Sequence, residues 1–175
     1  PRLRALAGSA GGPGRLHALW TLDALGALED DDVVRGTRDP FASVRENAVR
    51  LAERRIRDSP PLTDAVLALA DDPDARVRLH VALALGATTD ARAIHALAAI
   101  ARRDGVTRWV RAAIFSSLRD RSSAFLDAFV SAPSPAPAAR AAVMQDLGRL
   151  FGVAESPERC LTFVIEVSDP GVELS

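Results

Sequence analysis

Histidine, cysteine, serine and carboxylate side chains are the groups of this chain able to do acid–base, nucleophilic or metal chemistry, and no spacing joins them into a catalytic set. Cys160 stands alone, so these residues hold neither an intramolecular disulfide nor a Cys-x-x-Cys metal or haem signature. It has no histidine near it in sequence, and packing as a small hydrophobe is the usual role of such a residue. Ser116, Ser117, Ser122 and Ser123 lie in no nucleophile-elbow pattern. The acidic run Glu29-Asp30-Asp31-Asp32 lacks the alternating ligands and the glycine of a calcium loop, and reads as solvated loop. No metal or other cofactor is expected.

The spacing that does recur belongs to arginine. Val44-Arg45, Val77-Arg78 and Val110-Arg111 repeat at 77 − 44 = 33 and 110 − 77 = 33 residues. Asp39-Pro40 and Asp72-Pro73 precede the first two valines by five residues, and Asp104 precedes the third by six. A period of this size denotes stacked helical repeats, and hence a binding surface rather than a catalytic centre. His17 and His80 occupy equivalent positions in non-adjacent repeats and His95 lies on the other type of helix, so the three do not converge on a metal.

The elements that must position these residues follow from apolar periodicity and start signals. Leu16, Leu19, Trp20, Leu22, Leu25 and Leu28 fall at helical spacings, predicting a helix over 15–29. Before it, residues 8–14 form a glycine-rich break, and 29–38 read as a loop with at most one degenerate helical turn around Val33 and Val34. Asp39-Pro40 offers a capping carboxylate with proline at the first helical position, starting a helix that runs to Arg57. Ser59-Pro60 starts one to Ala70, Asp72-Pro73 one to Gly86, and 88–90 one to Arg103. Thr107 caps a helix to Arg119 and Ser122 one to Ser131. A proline-rich turn over 132–137 precedes a helix over 138–151, and Ser156-Pro157-Glu158 opens a last one to Val167, where Thr162-Phe163-Val164-Ile165 also has strand propensity.

The fold class is therefore all-α: an α-solenoid of about four to five stacked antiparallel helix pairs, forming a single domain over 1–175 with irregular or capping segments at 1–14 and 153–175. The chain is 48% hydrophobic, enough to bury a core spread along the solenoid axis. Its 22 basic residues are all arginine, but 23 acidic residues bring the net charge to −1, so nothing in the charge calls for nucleic acid or an anionic membrane. No run of eighteen apolar residues is present to span a bilayer. The start at Pro1 and the closing Asp169-Pro170-Gly171, which reads like the opening of a further turn, suggest a piece of a longer protein.

Asp39-Pro40-Phe41-Ala42-Ser43-Val44-Arg45-Glu46-Asn47-Ala48 and Asp72-Pro73-Asp74-Ala75-Arg76-Val77-Arg78 closely resemble HEAT repeats, in particular the short bacterial type named after phycobilisome lyases. The resemblance covers about residues 15–152. It implies that the valines are core and that each arginine reaches an aspartate of a neighbouring repeat, forming a ladder. Carried over, Asp39, Asp72 and Asp104 would partner Arg45, Arg78 and Arg111. A narrower resemblance rests on Arg15-Leu16-His17-Ala18-Leu19-Trp20-Thr21-Leu22 and Trp109-Val110-Arg111-Ala112-Ala113. These look like the HEAT segment of large bacterial membrane-bound dehydrogenase proteins, which join a propeller, HEAT repeats and a c-type haem domain. That likeness implies an extracytoplasmic connector whose redox chemistry is done elsewhere, since neither Cys-x-x-Cys-His nor propeller strands occur here.

The second helices show which face is spare. On the helix from Val44, the residues Val44, Ala48, Leu51, Ala52 and Ile56 make one apolar arc, opposite Glu46, Arg50, Glu53, Arg54 and Arg57. Shifted by the repeat, Leu79 and Leu83 replace Glu46 and Arg50, and aligning Arg15 with Arg45 brings Leu16 and Trp20 to the same two positions. In HEAT-like solenoids these helices line the concave surface, so Trp20, Leu79 and Leu83, with Trp109 near the edge, would form an apolar groove flanked by Arg50 and Arg54. The competing reading is that these helices are buried on both sides.

The expected function is a non-catalytic, monomeric scaffold that engages a protein partner, or the flanking domains of its own chain, through the concave face. The alternative that the resemblance leaves open is an enzyme on the same fold, of bilin lyase or DNA glycosylase type. A glycosylase would want a net positive concave face with aromatics gripping the backbone, and the balanced charge speaks against it.

Overall fold

In the computed structural model, residues 2–9, 11–133 and 136–154 are described, and every regular element among them is helical. The α-helices are α1 (Arg2–Ser9), α2 (Gly12–Ala24), α3 (Asp30–Thr37), α4 (Ala42–Ala52), α5 (Pro60–Leu67), α6 (Ala75–Ala84), α7 (Arg92–Asp104), α8 (Arg108–Leu118), α9 (Ser122–Val130) and α10 (Pro137–Ala154), with a short 3₁₀ turn at Ile56–Asp58. Short turns reverse the chain between consecutive helices. The result is two layers: α2, α4, α6 and α8 stack side by side, while α3, α5, α7 and α9 form the other sheet of helices. α1 packs on α2, and α10 departs from the alternation by lying against α7.

The core runs between the layers along the whole stack. Val44, Ala48, Leu51 and Ala52 of α4, Val77, Val81 and Leu85 in the following repeat, and Ala93, Leu97 and Ile100 of α7 are all buried. Each fully buried leucine or isoleucine contributes roughly 1.5–3 kcal/mol relative to exposure, and the interspersed alanines let neighbouring helices approach. Phe125 and Phe129 stack at 5.8 Å between centroids and fill the end of the core beneath α9.

Two start signals act differently from the sequence expectation. Asp39 and Asp72 are not helix caps: each carboxylate accepts the backbone N–H two residues on, from Phe41 and Asp74 at 2.9 Å, and so folds the turn before the helix. Asp74 is the cap of α6, accepting from Arg76 N at 2.8 Å. Ser59 does cap α5, with Pro60 at its first position. The helix expected to reach Arg57 ends at Ala52, where the chain tightens into the 3₁₀ turn.

Two segments read as irregular are helical. Residues 2–9 form α1, and α2 begins at Gly12 rather than Arg15, because Gly12 is a contact glycine and not a break: a Cβ there would sit 2.8 Å from the Phe41 ring. The chain leaves α2 at Ala24, short of Glu29, through Gly26 at φ 64°. The acidic stretch forms α3, begun by a reciprocal capping box between Glu29 and Asp32. The helix expected over 156–167 lies outside the described residues.

Candidate functional site

The most regular constellation is built by the turns that enter α4, α6 and α8. Val44, Val77 and Val110 point into the core, which leaves the next residue of each helix at the layer's edge. There Arg45 donates from Nε and Nη2 to Asp72 at 2.6 and 2.8 Å, and Arg78 does the same to Asp104 at 2.6 and 2.7 Å. The other terminal nitrogen of each guanidinium returns to its own turn: Arg45 Nη1 to the carbonyl of Asp39 at 2.9 Å, Arg78 Nη1 to that of Asp72 at 2.5 Å. Arg111 Nη1 bonds the Gly105 carbonyl at 2.9 Å, and its Nε reaches Asp146 of α10 at 2.7 Å. One arginine thus closes its own loop and clamps the next.

The register of this ladder differs from the pairing carried over from the sequence. The Asp39 carboxylate pairs with Arg15, at 2.5 and 2.8 Å, rather than with Arg45, and every rung is displaced one repeat forward. Arg15 and Asp146 complete the series. Arg15 was detectable by its alignment with Arg45, whereas Asp146 sits inside α10 with no Asp-Pro to mark it. The displaced Asp104 also has a cause. Residue 105 stands where Asp39 and Asp72 stand in the earlier turns, but a Cβ on Gly105 would collide with the Ala101 carbonyl and lie 2.6 Å from Val143 of α10. The carboxylate is therefore supplied from the last residue of α7.

Burial raises the cost of charging Asp39 and Asp72, but the hydrogen bonds from Arg15 and Arg45 and from the Phe41 and Asp74 amides outweigh it. Both carboxyls are held below the usual carboxylate range.

The exposed side of the α2–α4–α6–α8 layer carries the remaining sequence candidates. Leu16 and Trp20 of α2 and Leu79 and Leu83 of α6 are half-buried and packed against the core. α4 separates the two pairs with polar groups. Trp20 Nε1 donates to Asn47 Oδ1 at 2.9 Å, and the Arg50 guanidinium lies 5.6 Å from the Trp20 ring centroid. His80 Nε2 is 3.3 Å from Glu46 Oε1, and Arg54 reaches back to Asp23 at 2.5 Å. Trp20, Arg50 and Arg54 are thus brought onto one polar seam between α2 and α4, in which Asn47 is a member the sequence reading missed. Trp109 stands apart on α8. It is 70% exposed, with only Arg108 over its ring at 5.7 Å.

The turn geometry recurs through the middle of the chain, and the sequence model described as HEAT repeats matches residues 31–119. The chain belongs to the HEAT-repeat family. HEAT repeats generally act as protein-interaction scaffolds and are typically non-catalytic. No curated protein and no solved structure matches the chain. The matched HEAT segment runs from the first turn of α3 through the end of α8 and contains the Arg45–Asp72 and Arg78–Asp104 rungs; Arg15, Trp20 and Asp146 lie outside it. Among the described residues no group of three or more His, Cys, Asp or Glu side chains is arranged to hold a metal, and no helix is long and apolar enough to cross a membrane.

Proposed function

We propose that this HEAT solenoid is a non-catalytic scaffold that presents its α2–α4–α6–α8 layer to a partner protein or to a flanking domain of its own chain. The observation that carries the reading is Trp109. A tryptophan offers a large apolar surface with one polar edge, and such residues are over-represented among binding hot spots. Here it projects from the first turn of α8 and is not packed on the core, while Trp20 of α2 and Phe115 of α8 are half-buried against it. The Arg/Asp ladder beneath it supports rigid display, since each rung fixes the orientation of one repeat on the next. Leu79 and Leu83 add apolar area on α6. Arg50 and Arg54 frame the α2 end, although their ties to Trp20 and Asp23 make them spacers more than free charges.

A photo-activatable residue placed at Trp109 or Leu83 of the native protein in its own cells tests this. Adducts from those two positions, and none from the exposed His95 on the opposite layer, are expected. Equal labelling from His95, or silence from Trp109 and Leu83, sinks the reading.

A further inference from the structure

Asp104-Gly105 is the one place in the sequence where an aspartate or asparagine is followed by glycine. That dipeptide is prone to isomerise, because glycine has no side chain to keep its backbone nitrogen away from the preceding carboxyl group. The Gly105 nitrogen attacks Cγ of Asp104, and the new N–Cγ bond closes a five-membered succinimide. One carboxyl oxygen leaves as water, carrying the amide proton and the carboxyl proton. A water molecule then opens the ring at the backbone carbonyl carbon of Asp104. The product is an isoaspartyl linkage of unchanged composition, with the side-chain methylene of Asp104 now in the main chain and a carboxylate on its Cα. Water is the only co-reactant.

The fold holds the reacting groups apart. The Gly105 N–H donates to the Ala101 carbonyl at 2.9 Å, the Gly105 carbonyl accepts from Arg111 Nη1 at 2.9 Å, and the Asp104 carbonyl accepts from the Thr107 amide at 2.9 Å. While these bonds stand, the peptide between the two residues cannot turn its nitrogen onto the carboxyl group. Both carboxylate oxygens are taken by Arg78, at 2.6 and 2.7 Å, and that side chain is only 5% exposed. The product has no room either. Gly105 is buried, and a Cβ on it would already fall 2.4 Å from the Ala101 carbonyl and 2.6 Å from Val143 of α10, so an added main-chain atom cannot be seated. A carboxylate drawn back to Cα also falls short of Arg78. The other rungs lack this chemistry: Asp39 and Asp72 precede proline, which has no N–H to lose, and Asp146 precedes leucine.

We infer that Asp104 is a modification site, isomerised to isoaspartate only when the Arg78 rung opens, and that the modification severs the ladder there for good. A local opening exposes the dipeptide, and the product then prevents reclosure, turning a transient fluctuation into a lasting loss of the rung and of the seat of α10. Trp109 follows this turn directly, but the inference does not depend on that face binding a partner.

The test is to age the native chain at neutral pH alongside the same chain unfolded in guanidinium chloride. Isoaspartate is read by enzymatic methyl transfer and placed by peptide mapping. The unfolded chain should isomerise at Asp104, and the folded chain far more slowly. Arg78→Lys keeps the charge and loses the fork, and should speed the folded chain about tenfold, the size of one lost charge-assisted hydrogen bond. Arg45→Lys weakens the preceding rung in the same way and should leave the rate at Asp104 unchanged. In the isomerised chain, separated from its parent, amide exchange should rise around Val143 and Leu147. A folded rate equal to the unfolded one, no isoaspartate at Asp104 in either, equal acceleration by both substitutions, or unaltered exchange in α10 would overturn the inference.

Discussion

Arg45 and Asp72 are 27 residues apart in sequence and joined by two parallel hydrogen bonds of 2.6 and 2.8 Å, with the carboxylate almost wholly buried. Because the same guanidinium bonds the Asp39 carbonyl, the pair ties the turn before α4 to the turn before α6. Removing one partner leaves a buried charge without compensation. Asp72→Ala is expected to destabilise the fold by about 3 kcal/mol in urea unfolding, whereas Asp23→Ala, which breaks the exposed pair with Arg54, should cost under about 1 kcal/mol. A double-mutant cycle on Arg45 and Asp72 should return a coupling of about 1–3 kcal/mol.

Acid should destabilise the fold in two stages with different owners. Burial lowers the His80 imidazole against the opposing pull of Glu46, so the folded chain binds its proton less readily than the unfolded one does. That stability is present above the unfolded histidine value of about 6.5 and is lost as pH falls through it. Asp39 and Asp72 are depressed in the fold, so their contribution is intact above the unfolded value of about 3.9 and disappears as pH drops through their folded values. Unfolding free energy measured from pH 8 downward should slope first near pH 6 and again below pH 4. His80→Gln should erase the first slope alone.

What could be seen in the sequence was whatever the repeat copies faithfully. Val44, Val77 and Val110 mark the core side of three helices, and the spacing of 33 fixes their stacking before any contact is known. α3 was hidden because Asp30, Asp31 and Asp32 are poor helix formers in isolation; they become favourable at a helix N-terminus, where Asp32 closes the capping box and pairs with Arg4 and Arg35. Arg4 comes from α1, so the signal for α3 lay 28 residues away. The polar strip that crosses the groove is hidden for a similar reason. Aligning positions shows that Trp20 and Leu83 are equivalent, but not that Asn47 and Arg50 on the helix between them would turn toward Trp20.

The two tryptophans should separate cleanly by stability. Trp20 is half-buried and loses both a hydrogen bond to Asn47 and core packing when truncated, so Trp20→Ala is expected to cost about 3 kcal/mol. Trp109→Ala should stay within about 0.5 kcal/mol of the parent. Acrylamide quenching of the single-tryptophan variants gives an independent reading: strong for Trp109, weak for Trp20. Comparable losses for the two substitutions would place Trp109 in the core and remove the reason for treating it as a partner anchor.

Gly105 and Gly86 make opposite ends of one argument about close approach. A Cβ at Gly86 would stand 2.9 Å from the Ser117 Cβ and 3.0 Å from its Cα, so α6 and α8 meet there backbone to side chain. At Gly105 the obstruction includes the Ala101 carbonyl of its own turn as well as Val143. Overpacking of this kind costs about 1–3 kcal/mol. Gly105→Ala should sit at the upper end and also loosen α10, raising amide exchange around Val143 and Leu147. Gly86→Ala should leave α10 protected.

Arg119 is where a substitution should stabilise. It ends α8 with φ 53° and ψ −117°, the one described non-glycine residue at positive φ, and its side chain is exposed. The conformation is imposed by the neighbours: Arg121 bonds the Ser117 carbonyl at 2.9 Å and the Thr88 carbonyl at 3.4 Å, which holds the following turn down on the preceding repeat. Such backbone strain costs of order 1–3 kcal/mol for a residue with a Cβ, whereas glycine enters this region freely but brings a more disordered unfolded chain worth about 0.4–1 kcal/mol. The relief is the larger quantity, so Arg119→Gly should raise the unfolding free energy by about 1 kcal/mol. Arg119→Ala, which removes the charge and keeps the Cβ, should be near neutral. If both variants gain equally, the side chain and not the backbone is the source of the penalty.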